Sequence, residues 1–239
     1  MHYVREVIIK ILKKLGLIKQ TGVPSIEQWE VQIKKAVIAP VKMLLPYLKD
    51  DSVFIDIGAN VGAFTEAVIK ARKNVVVHLF EPVPQYYDWL TNKFSKAPNV
   101  FMNNVALSDS KGSFKLWVDP NNLGWNTMIQ EKTSGNMHEI TIQTIEFDEY
   151  VKNANIEKID VIKIDVEGAE FKVLFGMKNT LTRLKKKPVI ICEIGWGKDS
   201  HPNWADGVTI FEWLFNNGYS RFDYNSITST RDVLFIPLD

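Results

Sequence analysis

Short apolar runs rich in β-branched and aromatic residues alternate along the chain with stretches whose apolar positions recur every three or four residues. "SVFIDIG" (52–58), "NVVVHLFEP" (74–82), "NVFMNNVALSD" (99–109), "KIDVIKIDV" (158–166) and "KPVIICEIGW" (187–196) are the runs, and each predicts a strand. Between them, "AFTEAVIKARK" sets Phe64, Ala67, Val68 and Ala71 on one helical face. "PQYYDWLTNKFSK" does the same with Tyr87, Leu90 and Phe94, with Pro84 in its first turn. "EFDEYVKNAN" and "GAEFKVLFGM" also read as helices. "ADGVTIFEWLFNNG" presents Ile210, Phe211, Leu214 and Phe215 and stops at Gly218, a C-terminal cap. The tail "YSRFDYNSITSTRDVLFIPLD" reads as two closing strands joined by a turn.

Strands without polar alternation must be buried on both faces, so the repeated strand–helix order predicts an α/β fold: a mostly parallel sheet with helices on both sides. Five core strands and the closing pair give a seven-stranded sheet. The alternation lapses between Lys111 and Thr144, where Asn, Gly and Ser surround "SFKLWVD" and "EITIQTI". That stretch predicts a β-type insertion around 111–144 within one domain. Residues 1–50 read as an N-terminal helical extension, and 51–239 as the main domain.

Composition changes this picture little. The 239 residues are 46% hydrophobic and 24% charged, as in ordinary globular chains. A net charge of +1 gives no global attraction to nucleic acid. The single cysteine, Cys192, excludes an internal disulfide and fits a reducing compartment. The first twenty residues set Arg5, Lys10, Lys13, Lys14 and Lys19 among Val4, Ile8, Ile11 and Leu15. Lys10 interrupts the apolar stretch and no small-residue cleavage site follows, so this is read as an amphipathic helix and not a signal peptide. Such a helix either caps the domain, the default for surface helices, or lies on an anionic membrane.

Chemistry collects where the strands end. Asp56 and Gly58 close the first strand, Glu81 the second, Asn103 and Asn104 interrupt the third, Asp165 and Glu167 close the fourth, and Glu193 the fifth. Open α/β sheets bind ligands at those carboxyl ends. "DIGANVG" (56–62) places two glycines, separated by three residues, between strand and helix, where the backbone must turn sharply and approach a ligand. It lacks the G-x-G-x-x-G spacing of dinucleotide enzymes and the lysine of a P-loop. An acid at Glu81 is placed to accept both ribose hydroxyls, so the pair of motifs favours a nucleoside ligand over a simple tight turn.

"FIDIGANVGAFT", "HLFEPVP", "NNVALSD" and "IDVIKIDVEGAEFKVLFGM" resemble the FkbM-type S-adenosylmethionine-dependent methyltransferases, of the class I (Rossmann-like) methyltransferase fold. The resemblance runs from about Ser52 to Glu193, and "KIDVEGAE" is its most specific part. It implies that Asp56, Gly58, Asn60 and Gly62 line the methionine part of S-adenosyl-L-methionine, and that Glu81 holds the ribose. Asn104, Ala106 and Ser108 would lie near the adenine. It also implies transfer to a hydroxyl group of a small molecule or glycan, on a polysaccharide sugar or a secondary metabolite.

Methyl transfer to an alcohol needs alignment, exclusion of water and removal of the hydroxyl proton. Asp165 and Glu167 are the first candidates for that base, with Glu193 and His201 behind them. Each has a plainer role: Asp165 could hold the methionine amino group, and Glu167 could cap the following helix. Glu170 reads as structural. Asp165, Glu167 and Glu170 could jointly hold a divalent cation, but no histidine joins them at metal-ligand spacing, so no metal is expected. His78, between Val77 and Leu79, reads as a satisfied core histidine, whereas His201 in "GKDSHPNW" reads as exposed. Trp125, Trp196 and Trp204 are either walls of an acceptor pocket or lids on the core. A nicotinamide-dependent oxidoreductase and a non-catalytic nucleotide-binding module share the fold class. The missing dinucleotide motif disfavours the first, and the retained Asp56, Gly58 and Glu81 disfavour the second. The Asn/Asp-Pro-Pro-Tyr/Phe motif of amino-methylating enzymes is absent, so no nucleic-acid substrate is expected. The expected setting is the cytoplasm, with residues 1–20 the segment able to touch a membrane.

Overall fold

The computed structural model describes residues 25–120, 122–133 and 137–238; the helix expected over residues 1–20 lies outside them. Ser25 opens helix α1 (Ile26–Ala36) with a capping box, its hydroxyl accepting from the Gln28 amide while the Gln28 side chain accepts from the Ser25 amide. Trp29, Ile33 and Ala36 form its inner face. Helix α2 (Ile38–Leu44) follows directly and buries Val41 and Leu44. Trp29, Ile33, Val41 and Leu44 belong to the same apolar cluster as Phe54, Val77 and Leu79 of the main sheet.

The sheet starts with β1 (Val53–Ile57), α3 (Ala63–Ala71), β2 (Val76–Phe80), α4 (Pro84–Lys93) and β3 (Val100–Asn103). Pro84 occupies the first turn of α4, but Tyr86 and Leu90 are its buried side chains. Tyr87 is only half-buried and Tyr86 takes its place on the inner face, while Leu90 and Phe94 are buried as expected. The run "NVFMNNVALSD" is not one strand. After Asn103 the chain leaves the main sheet, and β4 (Ala106–Ser108) pairs in a second sheet.

That second sheet is the insertion. It holds β5 (Gly112–Val118), β6 (Asn126–Thr127) and β7 (His138–Glu146) in the order β4-β7-β5-β6. Antiparallel pairing of β5 with β7 sets Phe114 opposite Ile142 and Leu116 opposite Ile140. Leu116, Val118 and Ile142 are buried with the main core.

The chain re-enters through α5 (Phe147–Asn153) and continues as β8 (Val161–Ile164), α6 (Glu170–Phe175), α7 (Lys178–Arg183), β9 (Val189–Ile194), α8 (Trp204–Asn216) and β10 (Arg231–Phe235). The main sheet runs β10-β9-β8-β1-β2-β3, parallel except for β10. It has six strands among the described residues where seven were expected. Only an isolated antiparallel bridge from Tyr219 to Pro237 stands where the first closing strand was expected. Gly218, just beyond the end of α8, adopts φ +85°, and its carbonyl accepts from the Leu238 amide at 2.8 Å.

Strand alternation divides the core between the two faces of this sheet. Phe54, Val77, Leu79 and Val161 point to the α1–α4 side. Ile55, Ile57, Ile162 and Ile164 point to α6 and α8. Strand order reverses between β1 and β8, so the crevice of an open α/β sheet opens where these two strands end.

Candidate active site

The carboxyl ends of β1 and β8 touch through a glycine. Gly58 has φ +76°, and a β-carbon there would stand 1.9 Å from the Asp165 carbonyl oxygen. Only glycine combines that backbone with that approach. Gly62 serves a different purpose: at φ +71° it opens α3, and a β-carbon would meet the Leu90 and Phe94 side chains of α4 at 2.6 and 2.7 Å. Asp56 does not face the crevice. It is fully buried, accepts from the Thr65 hydroxyl at 2.7 Å and pairs with Lys163 at 3.2 Å. The Lys163 ammonium also donates to the carbonyls of Ile57 and Gly58, at 3.2 and 2.6 Å, and lies 3.8 Å from Asp165.

Glu81 projects from the end of β2 into the same crevice. Its two oxygens accept from the amides of Asn60 (2.7 Å) and Val83 (2.9 Å). Burial pushes its carboxyl up to about 7, against the pull of those two hydrogen bonds and of Lys163. Asn104 braces this tip from below, donating to the carbonyls of Glu81 and Pro82. Ser108 turns away and donates to Asp109.

An open cleft of ≈ 650 Å³ runs from this turn to the insertion. Of the residues expected to bind cofactor, Gly58, Asn60, Glu81 and Ala106 line it, whereas Asp56, Gly62, Asn104 and Ser108 stand behind its wall. Asp165 and Glu167 form its far side. Asp165, Glu167 and Glu193 each bring an oxygen within 4.8 Å of the others, and Glu167 and Glu193 are buried. Oxygen sets of this kind can hold a hard divalent cation; among the described residues no His or Cys joins them.

The turn that carries Glu167 is tightly held. Glu167 and Gly168 have φ +52° and +106°, and the Thr127 hydroxyl of β6 donates to the Glu167 carbonyl at 2.7 Å. The Trp196 ring lies against Gly168, where a β-carbon would come within 2.5 Å of it. The Lys132 ammonium sits over that ring, 5.2 Å from its centre. Glu170 is buried behind the turn and accepts from the Gly168 amide at 2.9 Å.

His201 corrects an expectation. Its polar loop predicts exposure, yet it is only 4% exposed, packed on Phe171 and Trp196. Its Nδ1 accepts from the Asn203 amide, and its Nε2 faces Glu170 at 3.7 Å, not the cleft. His78 is a core residue, stacked on Phe101 and bonded to the Tyr150 hydroxyl at 2.8 Å. Sequence reasoning passed over Lys163, although a lysine inside a fully buried strand is itself a signal, since such a charge needs partners.

The chain resembles known proteins over most of its length. A family model described as "Methyltransferase FkbM domain" matches residues 56–221. The hexuronic acid methyltransferase AglP of Haloferax volcanii is 35% identical over 186 residues, 77% of this chain and 73% of that protein. The 2-O-methyltransferase NoeI of Sinorhizobium fredii is 28% identical over 153 residues, 57% of this chain and 62% of its own length. Among solved structures, a putative methyltransferase from Streptococcus mutans in complex with SAH superposes with a TM-score of 0.51 at 12% identity, covering 84% of this chain and 97% of that one. At that identity the likeness speaks for the fold alone. The cradle at Gly58 and the acid at Glu81 fit a nucleoside cofactor, and S-adenosylmethionine is the one this family uses. The family match spans both glycines, Glu81 and every acid of the cleft, and the chain therefore belongs to the FkbM methyltransferases, enzymes dependent on S-adenosylmethionine.

Proposed function

We propose that this enzyme methylates a hydroxyl group of a sugar within a glycan or glycoconjugate. The observation that carries the reading is the meeting of Gly58, Glu81, Asp165 and Glu167 at one cleft. The names of two relatives, a hexuronic acid methyltransferase and a 2-O-methyltransferase, support a sugar acceptor.

In this reading Glu81 accepts from the ribose hydroxyls, and the turn at Gly58 lets the methionine part approach the backbone. Asn60 lies beside that turn, and Ala106 beside the adenine. The bound cofactor supplies a methyl group already activated on sulfonium. The chain must then align the acceptor oxygen and receive its proton as the new carbon–oxygen bond forms and the carbon–sulfur bond breaks. Glu167 is the base, held at its left-handed turn by Thr127. Asp165 takes the methionine ammonium, and Glu193 sustains the negative field of the pair. His201, which faces Glu170, acts as support.

The acceptor stands beside the turn that carries Glu167, where Trp196 packs against Gly168 and Lys132, over its ring, offers a cation to an acidic sugar. No helix among the described residues is long and apolar enough to cross a membrane. We place the enzyme in the cytoplasm, with the basic segment 1–20 the part able to touch a membrane surface, and no nucleic acid among its partners.

Calorimetric titration with S-adenosylmethionine, with NAD as control, tests the cofactor half in wild type and Glu81→Ala. Mass-spectrometric assay of methyl transfer to neutral and uronic sugars tests the acceptor half. Glu167→Gln should lower kcat by roughly 10²- to 10⁴-fold, the usual worth of a general base, without altering cofactor affinity. An unchanged kcat would remove Glu167 from the role of base.

A further inference from the structure

Helix α1 lies outside the segment matched by the family model, yet one of its side chains reaches the cofactor turn. Trp29 is 3% exposed. Its indole Nε1 donates to the Asn60 side-chain oxygen at 3.0 Å. Asn60 has φ +52°, a left-handed conformation that asparagine tolerates but does not prefer. Both polar atoms of its side chain are engaged. The same oxygen accepts from the Val61 amide at 2.9 Å, and the side-chain nitrogen donates to the Leu123 carbonyl at 2.8 Å. The backbone amide of Asn60 then points at Glu81 Oε2, 2.7 Å away.

One asparagine therefore joins three parts of the molecule: α1 through Trp29, the cofactor turn through its own backbone, and the insertion through Leu123. Gly124 and Asn126, just beyond Leu123, line the cleft. Helix α1 is itself anchored beside this junction. Lys93 pairs with Glu30 at 2.6 Å and with Glu66 at 2.9 Å, Lys34 bridges the same two acids, and Lys93 also donates to the Val61 carbonyl. The position of the indole is thus fixed from the helix side, and Asn60 is fixed against it.

We propose that Trp29 is a positioning residue for cofactor binding, acting through Asn60 on both Glu81 and the 122–127 wall of the cleft. The indole hydrogen bond fixes the Asn60 side chain, that side chain stabilises the left-handed turn, and the turn aims an amide at the Glu81 carboxylate. Loss of the bond frees Asn60 to swing, loosening the carboxylate that meets the ribose and the wall that covers it. The inference rests on the cofactor site set out above.

Isothermal titration of the full chain with S-adenosylmethionine tests it in wild type, Trp29→Phe, Asn60→Gly and the double variant. Phenylalanine keeps the aromatic packing without the donor, and glycine accepts φ +52° without the side chain. Trp29→Phe should raise Kd about 2- to 12-fold, the worth of one neutral hydrogen bond, with its thermal midpoint nearly unchanged. In the Asn60→Gly background the same substitution should have no further effect, because the two act in series. Hydrogen exchange of amides in 122–127 should quicken in Trp29→Phe without ligand. An unchanged Kd, a fall in thermal midpoint alone, or independent effects of the two substitutions would overturn the inference. Glu81→Ala, run beside them, separates the causes. If it weakens binding while Trp29→Phe does not, only the role of Trp29 fails. If neither weakens binding, the cofactor site itself is misassigned and the inference falls with it.

Discussion

A β-carbon on Gly58 would lie 1.9 Å from the carbonyl oxygen of Asp165. The two most distinctive motifs of the chain, one ending β1 and the other ending β8, thus meet backbone to backbone. Gly58→Ala must either leave φ +76° or push β8 away, and both disturb the cleft between them. The left-handed backbone alone costs on the order of 1–3 kcal/mol for a non-glycine residue, and the contact with a backbone atom adds to it. The variant should melt well below wild type and lose measurable S-adenosylmethionine binding, as read by thermal unfolding and calorimetry.

Glu81 gives a pH signature. Its carboxyl has an ordinary value of 4.5 and is raised to about 7 in the fold by burial. Between those values the folded chain keeps a proton that the unfolded chain has released. Its contribution to stability is therefore complete below about 4.5 and is lost as pH rises through about 7, with a slope of at most about 1.4 kcal/mol per pH unit. With Glu81 in the proposed ribose-binding role, cofactor affinity should move the opposite way, improving as pH climbs through about 7, because only a carboxylate can accept from both hydroxyls. Urea unfolding and calorimetric titration across this window should both lose these trends in Glu81→Gln.

Much of this arrangement could be read before any coordinates. Strands buried on both faces show up as apolar runs, and a polar residue at the end of such a run stands out. Gly58, Glu81, Asp165 and Glu167 were legible for that reason. The break between β3 and β4 was only half legible: Asn103 and Asn104 mark the interruption, but nothing in "NVFMNNVALSD" says that the pairing partner changes from β2 to β7. His201 was misjudged because local polarity says nothing about a loop folded onto Phe171 and Trp196. The Asp56–Lys163 pair depends on strand register, which sets those two residues side by side across β1 and β8. Periodicity does not encode such a register.

That pair supports its own prediction. Lys163 is 5% exposed and Asp56 is fully buried, so removing the ammonium strands a carboxylate away from water. Losing one partner of a buried ion pair costs about 3–5 kcal/mol. Lys163→Met should lower unfolding free energy by about that amount in urea titration. Adding Asp56→Asn should recover part of the loss, since it removes the charge left behind. If the double variant is no more stable than the single one, Lys163 acts chiefly through its bonds to the Ile57 and Gly58 carbonyls.

The proposed acceptor site yields the last prediction. Lys132 sits over Trp196, and Trp196 lies against the turn that carries Glu167. An acceptor sugar bearing a carboxylate must approach three acids, Asp165, Glu167 and Glu193, and a cation at this edge offsets their repulsion. Partly exposed ion pairs are worth about 0.2–1 kcal/mol, so Lys132→Gln should raise KM for a uronic acceptor roughly 1.5- to 5-fold. A neutral sugar acceptor should show no such change, and kcat should stay the same for both. Screening gives an independent check: with a Debye length near 3 Å at 1 M salt, the difference between wild type and variant should shrink as salt is added. Equal effects on charged and neutral acceptors would mean that Lys132 shapes the Trp196 wall instead of reading charge.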